Sequence, residues 1–173
     1  VNARRHLMNK QSLISLYVLA MTVALTGLAV SAAVDADTAS AALTREAQSA
    51  ITPARALKML KECNERFVTG DSVKRDFLAQ VRQTSKGQFP FAAVVGCLDS
   101  RIPPAIVFDQ GIGDLFVARV AGNFVNDDIL GSLEFATRLS GARLVVVMGH
   151  TECGAIKGAC DGAQLGLLTA TLA

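Results

Sequence analysis

Two short clusters in the chain combine the residue types that bind transition metals. The first is Cys97-Leu98-Asp99-Ser100-Arg101, and the second, about fifty residues later, is His150-Thr151-Glu152-Cys153-Gly154. Two cysteines and one histidine form a known type of catalytic zinc site, in which the fourth position is open to water. Thiolate and imidazole ligands favour zinc over magnesium and calcium, which prefer oxygen. The clusters therefore predict a zinc site made by Cys97, His150 and Cys153.

Each cluster follows an apolar run that is typical of a buried strand. Residues 91–95 and 144–148 are continuous apolar runs, and Gly96 and Gly149 end them. Such runs are characteristic of parallel strands that are covered on both faces. In open α/β sheets, functional sites form beyond the carboxyl ends of parallel strands. We therefore expect the two clusters to meet at one edge of a sheet.

Asp99 can take either of two roles beside such a zinc ion. As a fourth ligand it closes the site, and as a hydrogen-bond acceptor it orients a hydroxide on the zinc. Bound zinc lowers the pKa of its water to about 7, so hydroxide is available at neutral pH. Arg101 can hold Asp99 in the second role, because a guanidinium pairs with a carboxylate through two parallel hydrogen bonds.

Simpler interpretations exist for these residues taken singly. A single cysteine is usually a small buried apolar residue, and this core or surface role stays the interpretation for Cys63 and Cys160. Arg101 alone would be a surface ion-pair residue, and a zinc site can be purely structural. Structural zinc sites are usually closed by cysteine and histidine only, so Asp99 next to Arg101 favours a catalytic site.

The two clusters together resemble the signature of the β-class carbonic anhydrases. Residues 86–90, 108–111 and 119–123 are also similar to runs of that family, and the resemblance extends from about Pro53 to the C-terminus. It implies an enzyme with one zinc ion per subunit that hydrates carbon dioxide reversibly to bicarbonate and a proton, through a zinc-bound hydroxide. A carbon disulfide hydrolase of the same fold and a non-catalytic zinc-binding module are alternatives.

The resemblance also implies roles for individual residues. It makes the two cysteines and the histidine named above zinc ligands, and Asp99 and Arg101 a pair that controls the fourth ligand position. Gln88 would donate a hydrogen bond to the substrate from the neighbouring subunit. The backbone N–H of Gly154 would help to bind bicarbonate. A homodimer or a higher homo-oligomer is implied in the same way.

Residues 1–33 have the composition of a targeting segment. Arg4, Arg5 and Lys10 precede an eighteen-residue uncharged stretch, and small residues at 29–33 suit signal cleavage. We predict a cleaved signal peptide and an exported protein, periplasmic or extracellular, with an uncleaved membrane anchor as the alternative. The paired arginines loosely resemble a twin-arginine signal, unless Met8 is the true start.

The rest of the chain has a balanced charge. The whole chain carries a formal net charge of +2, and removal of residues 1–33 leaves 14 basic against 15 acidic residues. This balance gives no reason to expect a nucleic-acid partner. In an exported protein four cysteines can form two disulfides, but two of these four lie in the predicted zinc site.

The order of the predicted elements indicates an α/β fold, with a parallel β-sheet core flanked by helices and with extended N-terminal helices. Residues 34–52 are predicted to be a linker or a weak helix, and residues 53–173 the zinc-binding domain. Because the resembling family continues with further strands, we expect this domain to be incomplete at its C-terminus.

Local signals predict where several helices begin and end. Thr52 and Pro53 suit a helix start, and Gly70 suits its end. A second helix is predicted from Val73 to about residue 83. Further predicted elements are strands at 114–120 and 144–148, an irregular path at 102–104, a helix capped by Asn126 that ends at Gly141, and a last helix from Glu152.

Overall fold

The computed structural model describes residues 41–173, which lie within one compact unit, Asp37–Ala173. The predicted signal peptide or anchor at residues 1–33 lies outside the described residues, as does the first part of the predicted linker. Among the helices of residues 41–173, none is both long and apolar enough to span a bilayer. The domain boundaries stay predictions.

Three parallel strands form the centre of the described fold. They are β1 (Ala92–Cys97), β2 (Leu115–Val120) and β3 (Val145–Met148), in the spatial order β2-β1-β3. Ala93 of β1 pairs with Phe116 on one side and with Val145 on the other. The predicted α/β fold with a parallel sheet is confirmed. Because β1 and β3 are neighbours, their carboxyl ends lie side by side.

Helices flank this sheet and connect its strands. In the described residues they are α1 (Arg45–Ala50), α2 (Pro53–Thr69), α3 (Phe77–Thr84), α4 (Pro104–Val107), α5 (Asp127–Glu134), α6 (Gly154–Cys160) and α7 (Gly166–Leu172). α5 continues into a π-helical turn, Phe135–Leu139. The sequence predicts an irregular path at 102–104, but Pro104 is the first residue of the short helix α4. Proline is tolerated there because the first N–H of a helix has no partner within the helix.

Apolar layers cover both faces of β1, because successive side chains of a strand point to opposite faces. On one face Ala92 belongs to a cluster with Ala56 and Leu60 of α2. On the other face Ala93 packs with Ala136 of the π-helical turn. β1 is buried along its whole length, as its continuous apolar sequence predicts.

β3 differs from that expectation, because it is not buried on both faces. Val145 is 39% exposed and Val147 is 59% exposed, whereas Val146 packs against the core. β3 pairs with β1 along one edge, and within residues 41–173 the face that carries Val145 and Val147 is only partly covered. The apolar run therefore predicts the strand, but the coverage of each face depends on elements distant in sequence.

The ends of the helices follow local signals in most places. Thr52 caps α2, with its hydroxyl accepting a hydrogen bond from the Arg55 N–H, and Gly70 ends α2 at a positive φ of 82°. Asn126 caps α5 as predicted. The predicted start of the last helix at Glu152 is wrong by two residues, because Glu152 has a left-handed φ of 54° and cannot join the helix.

α3 begins four residues later than the sequence predicts, and the buried carboxylate of Asp109 explains the difference. The N–H of Val73 lies 3.3 Å from Asp109 Oδ1, and Arg75 Nη1 lies 2.5 Å from the same oxygen. These contacts hold residues 73–75 outside the helix. α3 starts after Asp76, whose carboxylate accepts a hydrogen bond from the Ala79 N–H at 2.9 Å.

Asp109 is the centre of a buried ion-pair cluster that joins α2 to the loop after α4. Its side chain is 2% exposed, and Arg66 Nε of α2 lies 2.7 Å from Oδ2. Burial alone raises the pKa of the Asp109 carboxyl, but the hydrogen bonds from Arg75 and Arg66 outweigh burial and hold this pKa below its ordinary value.

We expect Asp109→Asn to lower the free energy of unfolding by about 3–5 kcal/mol, because it leaves Arg75 buried without its carboxylate. Asparagine tolerates the positive φ of 44° at this position, so the substitution removes the negative charge without straining the backbone. The measurement is denaturant unfolding. As a control, Asp161→Asn removes the exposed partner of Lys157 and should cost less than about 1 kcal/mol; equal losses would contradict the prediction.

The same cluster predicts the direction of a pH dependence. The pKa of Asp109 is lower in the folded than in the unfolded chain, so its stabilisation is complete above the ordinary carboxyl pKa of about 4. The stabilisation is lost as the pH falls below that value. The stability difference between wild type and Asp109→Asn should shrink on acidification, in unfolding curves recorded at a series of pH values. A constant difference would refute the assigned ion pair.

Candidate metal centre

The two clusters meet at the carboxyl edge of the sheet. Cys97 is the last residue of β1, and His150 follows β3 by two residues. The sulfurs of Cys97 and Cys153 are 3.8 Å apart, and the ligand atoms of all three residues lie within 4.8 Å of one another. Two sulfurs bound at about 2.3 Å to one tetrahedral zinc would be separated by roughly the same distance. The geometry therefore suits one ion.

The imidazole of His150 is held in the orientation of a metal ligand. Its side chain is 8% exposed, and Nδ1 lies 2.8 Å from the carbonyl oxygen of Thr151. That contact assigns the proton to Nδ1, because the carbonyl can only accept. Nε2 is buried and has no hydrogen-bond partner among the described residues. Histidines that bind metals typically donate their other ring N–H in this way, so the unpartnered Nε2 fits a metal.

The surroundings of Cys97 favour its thiolate. Burial alone raises the pKa of the Cys97 thiol, but the hydrogen bond from the Gly122 N–H and the nearby imidazole of His150 outweigh burial and lower the pKa to about 7. The Gly122 N–H lies 3.4 Å from the sulfur. The nearby Cys97 side chain in turn raises the pKa of His150. Thiolate is the form of cysteine that binds metals.

Asp99 and Arg101 form the pair that their spacing predicts. Arg101 Nε lies 2.9 Å from Asp99 Oδ1, and Nη2 lies 2.7 Å from Oδ2. The backbone N–H of Arg101 also donates to Oδ1 at 2.9 Å. The hydrogen bonds from the Arg101 side chain and backbone hold the pKa of Asp99 well below its usual range, so the carboxylate is ionised at neutral pH.

Arg101 also connects the two halves of the site. Its Nη2 donates to the carbonyl oxygen of Glu152 at 3.1 Å. Glu152 lies between His150 and Cys153 and has the left-handed backbone conformation noted above. One guanidinium therefore binds the loop after β1 to the loop after β3.

Of the two residues predicted to contact the substrate, Gly154 lies beside the metal cluster, whereas Gln88 lies in an exposed loop. Gly154 is the first residue of α6 and borders a cavity of about 330 Å³ that Cys97, Leu98 and Asp99 also line. Gln88 lies exposed in the loop between α3 and β1, and its role toward a neighbouring subunit stays a prediction.

The disulfide alternative does not match the described structure. All four cysteines are free, with Cys63 partly buried and Cys160 exposed. The sulfurs of Cys97 and Cys153 are 3.8 Å apart, well beyond the bond length of about 2.0 Å in a disulfide.

Two residues that contact Cys97 have no individual role in the predictions made from the sequence. Arg119 Nε donates to the Cys97 carbonyl at 2.7 Å, and the Gly122 N–H points at its sulfur. Both residues lie in the run 119–123, which only the family resemblance singled out. Their contacts depend on the pairing of β1 with β2, in which Gly96 lies opposite Arg119, and no local pattern encodes that register.

Residues 92–172 match the family model described as carbonic anhydrase. Carbonic anhydrase 2 of Mycobacterium tuberculosis is 43% identical over 120 residues, which are 67% of this chain and 56% of that protein. The chain therefore spans about half the length of this curated relative.

Solved structures of β-class enzymes share the fold. The Coccomyxa β-carbonic anhydrase in complex with acetazolamide has a TM-score of 0.52 and 27% identity, over 67% of this chain and 54% of that one. A tetrameric β-carbonic anhydrase of Sordaria macrospora has a TM-score of 0.52 and 26% identity, over 67% and 60%. The predicted resemblance is confirmed: residues 92–172 match the carbonic anhydrase family, and the solved structures that share the fold belong to its β class.

Proposed function

We propose that the protein catalyses the reversible hydration of carbon dioxide to bicarbonate and a proton. The observation that carries this proposal is the convergence of Cys97, His150 and Cys153 beside the Asp99–Arg101 pair. Two sulfurs and one imidazole nitrogen, with Nε2 left unpartnered, fit zinc. When bound, zinc supplies a Lewis acid that makes hydroxide available at neutral pH.

The hydrogen bonds of Asp99 favour its role as an acceptor. An ionised carboxylate has about four lone-pair sites. Oδ1 accepts two hydrogen bonds and Oδ2 accepts one, all from Arg101. The site left open is on Oδ2, and this oxygen lies 3.9 Å from His150 Nε2. Asp99 can therefore accept a hydrogen bond from the attacking water or hydroxide and orient its lone pair toward carbon dioxide.

The substrate has a suitable space beside these groups. The cavity of about 330 Å³ is lined by apolar side chains that include Leu98, Ala121 and Leu168, and by Gly154. Carbon dioxide is small and apolar, so such a lining accepts it. The N–H of Gly154 lies in the first turn of α6, where backbone N–H groups have no partner within the helix, and it can donate to a bicarbonate oxygen.

Exposed apolar side chains support the proposed homo-oligomer. Phe77, Leu78 and Val81 of α3 are 54%, 71% and 49% exposed, and clustered apolar side chains on a surface are typical of subunit interfaces. The β-carbonic anhydrase of Sordaria macrospora is tetrameric. In a dimer, Gln88, which lies shortly after α3, would reach the partner's substrate. Export to the periplasm or the cell exterior stays a prediction from residues 1–33.

The direct test is stopped-flow hydration of carbon dioxide by the zinc-loaded protein. We expect a rate well above that of buffer, and a folded, zinc-loaded protein with no such rate would contradict the proposal. Carbon disulfide is tested in parallel, because a hydrolase of the same fold would use the same residues. Zinc content without turnover of either substrate would instead indicate a non-catalytic zinc-binding module.

We expect Cys153→Ser to lose zinc, because a serine hydroxyl stays protonated where the thiolate is a ligand. Zinc content after dialysis against a weak chelator is the measurement. Cys160→Ser changes an exposed cysteine outside the cluster and should keep zinc at the wild-type level. Retention of zinc by both variants would exclude Cys153 as a ligand.

We expect Asp99→Asn to keep zinc but to lower kcat by about 100-fold or more, because a neutral amide is a weaker hydrogen-bond acceptor than a carboxylate and no longer orients the attacking oxygen. Zinc content and stopped-flow turnover are measured on the same preparations. Asp161→Asn, which removes an exposed carboxylate, is the matched control and should keep full turnover. Full turnover of Asp99→Asn would show that the carboxylate is not needed.

A further inference from the structure

The side chain of Arg119 connects β2 to the loop that carries Asp99. Its Nε donates to the carbonyl of Cys97 at 2.7 Å, and its Nη2 donates to the carbonyl of Asp99. These two carbonyls lie on either side of Leu98. One guanidinium therefore fixes the main chain between Cys97, which carries the sulfur ligand, and Asp99, which carries the carboxylate.

This loop has few other anchors. The side chain of Leu98 is 60% exposed, so burial of an apolar group does not hold it. The N–H of Leu98 donates to the Val120 carbonyl at 3.2 Å, and the Ile102 N–H approaches the Asp99 carbonyl at 3.4 Å. Within residues 41–173, hydrogen bonds to the end of β2 therefore restrain the main chain of this loop, while Arg101 holds its carboxylate and contacts the Glu152 carbonyl.

A small movement of this loop would change what Asp99 does. Asp99 Oδ2 lies 3.9 Å from His150 Nε2, the atom that faces the cluster. A shift of the Asp99 main chain toward His150 would bring the carboxylate to the fourth ligand position. The hydrogen bond from Arg119 to the Asp99 carbonyl therefore decides whether the carboxylate stays a hydrogen-bond acceptor or becomes the fourth metal ligand.

We propose that Arg119 is a positioning residue, which holds the main chain of Asp99 so that its carboxylate stays paired with Arg101 and away from the metal. This inference rests on the proposed function. Arginine is the residue suited to the task, because its planar fork donates to two carbonyls at once, and the single ammonium of lysine does not reproduce that geometry.

The test uses cobalt(II) in place of zinc, because the absorption bands of cobalt report its ligands without any turnover. We expect Arg119→Ala to bind the metal at wild-type stoichiometry, to show altered cobalt bands as the carboxylate becomes a ligand, and to lower kcat of the zinc form by about 10- to 100-fold. In an Asp99→Asn background, Arg119→Ala should leave the bands unchanged, because the amide does not replace the carboxylate.

Arg138→Ala is the matched control. Arg138 is exposed in the π-helical turn and is not part of the metal cluster, so its removal should change neither the bands nor kcat. Arg119→Lys keeps the positive charge but cannot donate to both carbonyls at once. The cobalt absorption bands of this variant should change in the same direction as those of Arg119→Ala.

Two results would overturn the inference. One is a wild-type cobalt spectrum in Arg119→Ala, or in Arg119→Lys if the alanine variant does not fold. The other is an equal spectral change in the presence of Asp99 and in the Asp99→Asn background, which would mean that Arg119 supports the fold rather than Asp99. If the wild type hydrates no carbon dioxide, the proposed function fails, and the cobalt spectra still decide the role of Arg119.

Discussion

The parallel pairing of β1 with β3 is the constraint on which the site depends. It places Cys97 at the end of one strand beside the loop that follows the other, so that two sulfurs from distant parts of the chain lie 3.8 Å apart. A slip of one residue would turn every side chain of a strand to its opposite face. Burial of β1 on both faces prevents that slip, and the apolar core thereby fixes the distance between the ligands.

Around the ligands, the guanidinium groups of two arginines restrain the loops. Arg101 binds the Asp99 carboxylate and the Glu152 carbonyl, and Arg119 binds the carbonyls of Cys97 and Asp99. Both side chains reach exposed loops that apolar packing does not hold. The core therefore positions the ligands, while charged hydrogen bonds position the carboxylate, and the chemistry requires both kinds of restraint.

The sequence predicts those features that local patterns or the family signature encode. The caps at Thr52 and Asn126, the three strands, and the pairing of Asp99 with Arg101 are of this kind. Other features depend on contacts between distant segments. The late start of α3 follows from the contacts of Val73 and Arg75 with Asp109, and the exposure of β3 follows from what covers each face of the sheet.

X-ray absorption spectroscopy of the zinc-loaded protein tests the central claim most directly, because it counts the ligands and identifies their elements. Two sulfur neighbours at about 2.3 Å and two nitrogen or oxygen neighbours at about 2.0 Å are expected, from the two cysteines, His150 and one water. Substitution of Asp99 by asparagine should leave this spectrum unchanged. A site with fewer than two sulfurs, or one whose oxygen neighbour disappears in Asp99→Asn, would contradict the assignment.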